Sequence, residues 1–135
     1  MSEPDPTAKL GDKAATKAAA NAAEGARAAS EFVFLYTTLP DLDAVREISR
    51  ALLADRLAAC VNCSAAGTSF FEWEGEVQEE PELYALIKTR RACVDAAMAR
   101  IAGLHPYDEP AILILPVEGG AASFLDWVRA QTGAS

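Results

Sequence analysis

Six segments in the order β-α-β-β-α-β, closed by a short terminal helix, predict an α+β fold: an antiparallel sheet with two helices packed on one face. Three observations point to it. Apolar residues recur at helical spacing in two stretches, over 42–53 and 94–101. β-prone apolar runs lie before, between and after those stretches, bounded by proline and glycine. Gly75 falls between two such runs, where a hairpin needs a tight turn.

Each element has its own signal. Phe32-Val33-Phe34-Leu35-Tyr36-Thr37-Thr38 is continuously β-prone and reads as a buried strand. Pro40 breaks it, and Asp41 or Asp43 can cap the next helix by accepting from its free N–H groups. Leu42, Val45, Ile48, Leu52 and Leu53 form that helix's apolar stripe, with Arg46, Glu47 and Arg50 facing out. Leu57 to Cys63 reads as a second strand. From Thr68 the pattern alternates: Phe71 and Trp73 on one face, Phe70, Glu72, Glu74 and Glu76 on the other. Leu83 to Thr89 is the returning strand. Val94, Met98 and Ile101 mark a second helix, ended by Gly103. The unbroken run Ile112-Leu113-Ile114-Leu115 fits a central strand covered on both faces. Ser123 can cap a last short helix bearing Phe124, Leu125, Trp127 and Val128.

This is the ferredoxin-like split βαβ arrangement, placed over residues 31–135 as one domain. Residues 1–30 are different: alanine-rich, without an aromatic residue, their four acidic and four basic side chains cancelling. Such a tail buries too little apolar surface to offset its ordering entropy, although alanine allows a docked or fluctuating helix over 13–29. It has no apolar core of a secretory signal, and Asp5, Asp12 and Glu24 argue against a transit peptide. No run is long enough to span a membrane. The domain therefore carries the whole net charge of −8. That charge repels nucleic acid and anionic lipid, and fits a cytoplasmic protein or one that attracts cations.

Cys60, Cys63 and Cys93 are an odd number, which argues against a disulfide scaffold. Cys60 and Cys63 have C-x-x-C spacing, but in a strand an offset of three puts the two sulfurs on opposite faces, so a structural, reduced role is expected. Phe70, Phe71 and Trp73 are too many aromatics to leave in water on one hairpin. They predict self-association, with edge strands paired between subunits and Trp73 as an anchor.

Leu104-His105-Pro106-Tyr107-Asp108-Glu109-Pro110 holds the sole histidine, between a helix end and a strand start. His105 is a ligand in a cleft, a cap donating to the helix's last carbonyls, or a ring packed against Tyr107. Lys88 lies in an apolar strand, where a charge normally has a partner: a hairpin glutamate or an anionic ligand. Trp73, Lys88, His105 and Tyr107 are the candidate cleft residues, and no catalytic set accompanies them. The six carboxylates between Glu72 and Glu82 read as a solvated hairpin tip; no Asp-x-Asp-Gly calcium loop is present.

With these elements placed, the chain resembles the CutA family of divalent-cation (copper) tolerance proteins, from about Phe32 to about Trp127. The matching pieces are Leu57-Ala58-Ala59-Cys60-Val61-Asn62, Trp73-Glu74-Gly75-Glu76-Val77, Leu86-Ile87-Lys88-Thr89, His105-Pro106-Tyr107 with Pro110, and Leu115-Pro116-Val117. The resemblance implies a ferredoxin-like subunit in a homotrimer, a non-enzymatic role, and divalent metal ions as partners. It also implies a copper site built from a cysteine at the end of the first strand and a tandem histidine pair. Here the matching positions hold Tyr36, Leu104 and His105. Copper is therefore expected to bind weakly, through His105 with carboxylates or water. A PII-like trimeric small-ligand sensor, which shares the subunit fold, and an enzyme with an intersubunit cleft are the alternatives.

Overall fold

The computed structural model describes residues 30–133. The expected tail, with its helix over 13–29, therefore lies outside the described residues except for Ser30. The chain runs β1 (Phe32–Leu39), α1 (Leu42–Ala54), β2 (Cys60–Cys63), β3 (Gly67–Trp73), β4 (Glu76–Arg90), a 3-10 turn (Arg91–Cys93), α2 (Val94–Leu104), β5 (Ile112–Val117) and α3 (Ala122–Gln131). The five strands are antiparallel in the order β2-β4-β1-β5, with β3 pairing β4 alongside β2. The α+β expectation holds.

Alternation along β1 sorts the core. Val33, Leu35, Thr37 and Leu39 are buried, and their partners on β4 (Thr89, Ile87, Ala85, Leu83) are buried with them. α1 and α2 cover this face with Val45, Ile48, Leu52, Val94, Ala97 and Ile101. Asp41 caps α1, its carboxylate accepting from the Ala44 N–H at 2.9 Å. Leu42 and Leu53, expected in the stripe, are half-exposed at its margins. α3 lies on the opposite face, where Val128, Phe124 and Trp127 pack with Phe32 and Val117.

Several elements differ from the sequence expectation. β2 starts at Cys60 rather than Leu57, because α1 ends through a left-handed turn at Arg56 (φ 57°) and the Leu57 N–H still bonds the Leu52 carbonyl at 2.8 Å. Cys60 is buried and Cys63 exposed, both free, as an offset of three in a strand requires. β4 starts seven residues before Leu83 and runs straight through Pro81. Proline is tolerated there because Glu76–Glu82 pairs only with β3, so one edge of the strand is open and no ladder bond is lost. The Glu72–Glu82 carboxylates are thus spread along a two-stranded ribbon, not gathered at a tip.

The turn itself is Glu74-Gly75, both at positive φ, which is the twist a two-residue hairpin needs. Trp73 pairs with Glu76 and Glu72 with Val77, so Glu72 and Glu76 occupy opposite faces, and Glu74 is in the turn. α2 continues past Gly103 to Leu104, with His105 as its C-cap, and α3 begins after Ala121, which leaves Ser123 inside the first turn. β5 is not central. Among the described residues it pairs with β1 alone and forms an edge, with Leu113 54% exposed and Ile114 and Leu115 partly so.

Candidate functional site

The end of α2 sets up the site. Pro106 disfavours helical geometry at the residue before it, so His105 turns extended (φ −68°, ψ 135°) while its N–H still reaches the Ile101 carbonyl at 2.8 Å. The ring folds back under the chain. Its Nδ1 accepts from the Tyr107 backbone N–H at 3.1 Å, so that nitrogen carries no proton. Nε2 is then the protonated nitrogen. It donates to the Thr38 carbonyl at 2.9 Å and lies 3.1 Å from the Thr37 hydroxyl. The imidazole is buried, and burial lowers its pKa against the opposing pull of the Thr38 carbonyl and Glu82. A neutral imidazole with both nitrogens engaged fastens the 105–110 loop to the end of β1.

Tyr107 is the next link. Its ring is tilted against the imidazole, centroids 5.0 Å apart, and its hydroxyl donates to Glu82 Oε2 at 2.7 Å. Burial raises the phenol's pKa, and the bond to Glu82 with the charges of Glu82, Glu80 and Asp41 raises it further. Tyr107 is therefore a permanent donor and no base. In front of it opens a cleft of about 840 Å³ between the ribbon and the 105–110 loop. Phe71, Trp73 and Tyr107 give it aromatic walls, Pro40 and Pro81 add apolar carbon, and Glu80, Glu82, Asp108 and Glu109 supply carboxylates.

Of the four residues proposed from the sequence, Trp73 and Tyr107 line this cleft and His105 braces it from behind. Lys88 does not line it. It pairs with Phe34 and Cys60 on the α3 side of the sheet, its ammonium 5.2 Å from the centre of the Phe124 ring. Phe71, Glu80, Glu82, Asp108 and Glu109 were missed as a group. The signal available was the alternation of aromatics and carboxylates, but its face assignment depended on the register of the ribbon.

The residues present do not fit a resident copper ion. Tyr36 stacks on Tyr84 (5.8 Å) on the side of β1 away from α1 and α2. His105 meets Thr37, whose side chain points to the helix side, and Leu104 packs against the main core. The three positions do not converge within one chain. Ligation by His105 would first have to break one of its hydrogen bonds. Among the described residues no group of three or more His, Cys, Asp or Glu side chains is placed to hold a metal.

Comparison with known proteins adds an independent line. The family described as "CutA1 divalent ion tolerance protein" matches residues 33–131. The "Divalent-cation tolerance protein CutA" of Thermus thermophilus is 43% identical over 96 residues, covering 71% of this chain and 93% of that protein. "Protein CutA 1, chloroplastic" of Oryza sativa is 34% identical over 100 residues, covering 74% of this chain but only 56% of that longer protein. Among solved structures, the divalent cation tolerance protein of T. thermophilus superimposes with a TM-score of 0.73 at 40% identity, over 76% of this chain and 99% of that one. No helix among the described residues is long and apolar enough to cross a membrane.

Proposed function

The chain belongs to the CutA1 family of divalent ion tolerance proteins, and on that premise we propose a cytoplasmic homotrimer, not an enzyme, that takes part in the response to divalent metal ions. The observation that supports the assembly is the open apolar edge at β5. A strand paired on one side, with Leu113 and Leu115 in water, is a template for another copy. The sheet's other edge, β2 with β3, is chemically different. Joining unlike edges head to tail gives a ring when the rotation closes. Phe70, on the ribbon face away from the cleft, extends the contact.

Cations meet this protein through charge rather than through a built coordination site. The net charge of −8 and the four cleft carboxylates raise the local concentration of cations. His105 Nε2 is the protonated nitrogen and donates to the Thr38 carbonyl, so it cannot take a proton from the neighbouring Thr37 hydroxyl, and the Tyr107 hydroxyl is tied to Glu82, which speaks against catalysis. The family match leaves the PII-like sensor and the enzyme with an intersubunit cleft unfavoured.

Native mass spectrometry with and without Cu²⁺ and Zn²⁺ tests this reading. Three chains per particle and weak, substoichiometric metal are expected. A single-chain mass at micromolar concentration overturns the trimer, and a tightly held ion lost in His105→Ala overturns the account of cation contact. Cell fractionation checks the compartment, since the rice relative is named chloroplastic.

A further inference from the structure

The cleft in front of Tyr107 has aromatic walls, Phe71, Trp73 and Tyr107, that the attraction of metal ions by charge does not use. Its volume, about 840 Å³, lies within the roughly 300–1,000 Å³ usual for small-molecule sites. We propose that it binds a small organic ammonium ion, a cation carrying its own apolar surface.

Three classes of occupant are disfavoured first. An anion would meet Glu80, Glu82, Asp108 and Glu109, with no lysine or arginine on the lining to offset them. A neutral apolar molecule would gain the rings but have to strip water from those carboxylates without compensation. A hard divalent ion wants about six or more oxygens converging on one point. The carboxylates here are spread around an opening, and no three potential ligands among the described residues come close enough together.

An alkylated ammonium ion fits both chemistries. It is weakly hydrated, so it sheds water more readily than a metal ion does. Its methyl or methylene groups pack on Trp73, Phe71 and Tyr107, whose faces carry the negative end of the ring quadrupole. The carboxylates then need only be near, because the attraction between whole charges does not demand contact.

The register of the ribbon is a second, independent argument. Trp73 lies opposite Glu76, Phe71 opposite Gln78, and Ser69 opposite Glu80, so Phe71, Trp73, Glu80 and Glu82 share one face by alternation. Trp73 keeps 64% of its surface exposed on that face. Tyr107 completes the wall from the opposite side. Its hydroxyl is already bonded to Glu82, which fixes the ring and leaves its face free to contact a ligand.

The test uses the full chain in its native assembly. Trp127→Phe leaves Trp73 as the sole tryptophan, since the chain has two. Its fluorescence is titrated at constant ionic strength with tetramethylammonium chloride, sodium chloride, magnesium chloride and the neutral isostere tert-butanol. A saturable change with tetramethylammonium alone is expected, weakened about tenfold in Glu80→Gln/Asp108→Asn. Calorimetry on Trp73→Leu, with circular dichroism confirming its fold, is expected to show no binding. The proposal is overturned if tetramethylammonium gives no saturation, if sodium, magnesium or tert-butanol matches it, or if neither variant alters its binding. Particle mass is read separately, so loss of this site and loss of the trimer are distinct results.

Discussion

The two halves of β4 share one continuous backbone and live in different surroundings. Leu83 to Thr89 lies between β1 and β2 beneath two helices, and Ile87 is fully buried. Glu76 to Glu82 pairs with β3 alone, and Val77 is 73% exposed. The inner half follows the rule for a half-covered sheet, one face apolar. The outer half has rings on both faces of the ribbon it forms: Phe70 on one, Phe71 and Trp73 on the other. A strand pair with apolar groups on both sides is not finished by its own chain. The inner half makes the fold, and the outer half leaves Phe70, Phe71, Trp73 and Val77 exposed.

Substitutions can break that contrast, beginning where the effect is largest. Ile87→Ala opens a cavity in the helix-covered core and should cost about 2–5 kcal/mol, read by denaturant unfolding. A cost below about 1 kcal/mol would mean that the inner half is no better packed than the ribbon.

The junction comes next. His105→Ala strands the Thr38 carbonyl and the Tyr107 N–H, and should cost about 1–3 kcal/mol. The sign with pH follows from its lowered pKa. The unfolded chain takes up the proton near 6.5, more readily than the folded one. The imidazole's contribution is therefore complete above that pH and is lost as pH falls through the folded value. Unfolding curves across pH 5 to 8 should show this slope in the wild type, over and above that of the carboxylates, and a shallower one in His105→Ala. Equal slopes would remove the clamp.

How much of this was legible in the sequence follows the same division. α1 and α2 could be read because burial on one face imposes a period of 3.6, and β1 and the inner half of β4 because their β-prone apolar runs are bounded by turn signals. Pro81 hid the outer half of β4, since a proline argues against a strand unless one edge is free, and edge freedom is a tertiary fact. Ile112 to Leu115 reads as central because sequence records that a strand is apolar, not whether its own chain or another copy covers it. The hydrogen bonds of His105 were beyond reach for a related reason: Thr37 and Thr38 are 67 or more residues away in the chain. The copper-ligand positions matched by resemblance could not show that Tyr36 and His105 fall on opposite sides of β1.

At the ribbon's tip the expected effect is smaller. Gly75 has φ +83° with nothing within 4 Å of a Cβ built there, so the cost of Gly75→Ala is backbone strain alone, about 1 kcal/mol. Hydrogen exchange should show it as faster opening of β3 and the outer half of β4, with the inner half unchanged. Loss of protection along all of β4 would mean that the halves unfold as one unit.

The smallest effect on the fold of the single chain is expected from Phe70→Ser with Val77→Ser. Phe70 is 65% exposed, and Phe70 and Val77 flank the Glu72 and Glu79 positions on the ribbon face away from the cleft. Little contact is lost within the chain, so monomer stability should move by no more than about 0.5 kcal/mol. Assembly should respond instead, because an apolar anchor removed from an interface changes the particle while leaving the subunit folded. Sedimentation should show smaller particles than the wild type, with the same far-ultraviolet circular dichroism. The substitutions stay off the cleft face, so tetramethylammonium titration of the smaller particle is a further control. If the variant unfolds instead, the outer half of β4 belongs to the fold after all. If it remains the size of the wild type, the contact between copies is carried by β5 alone.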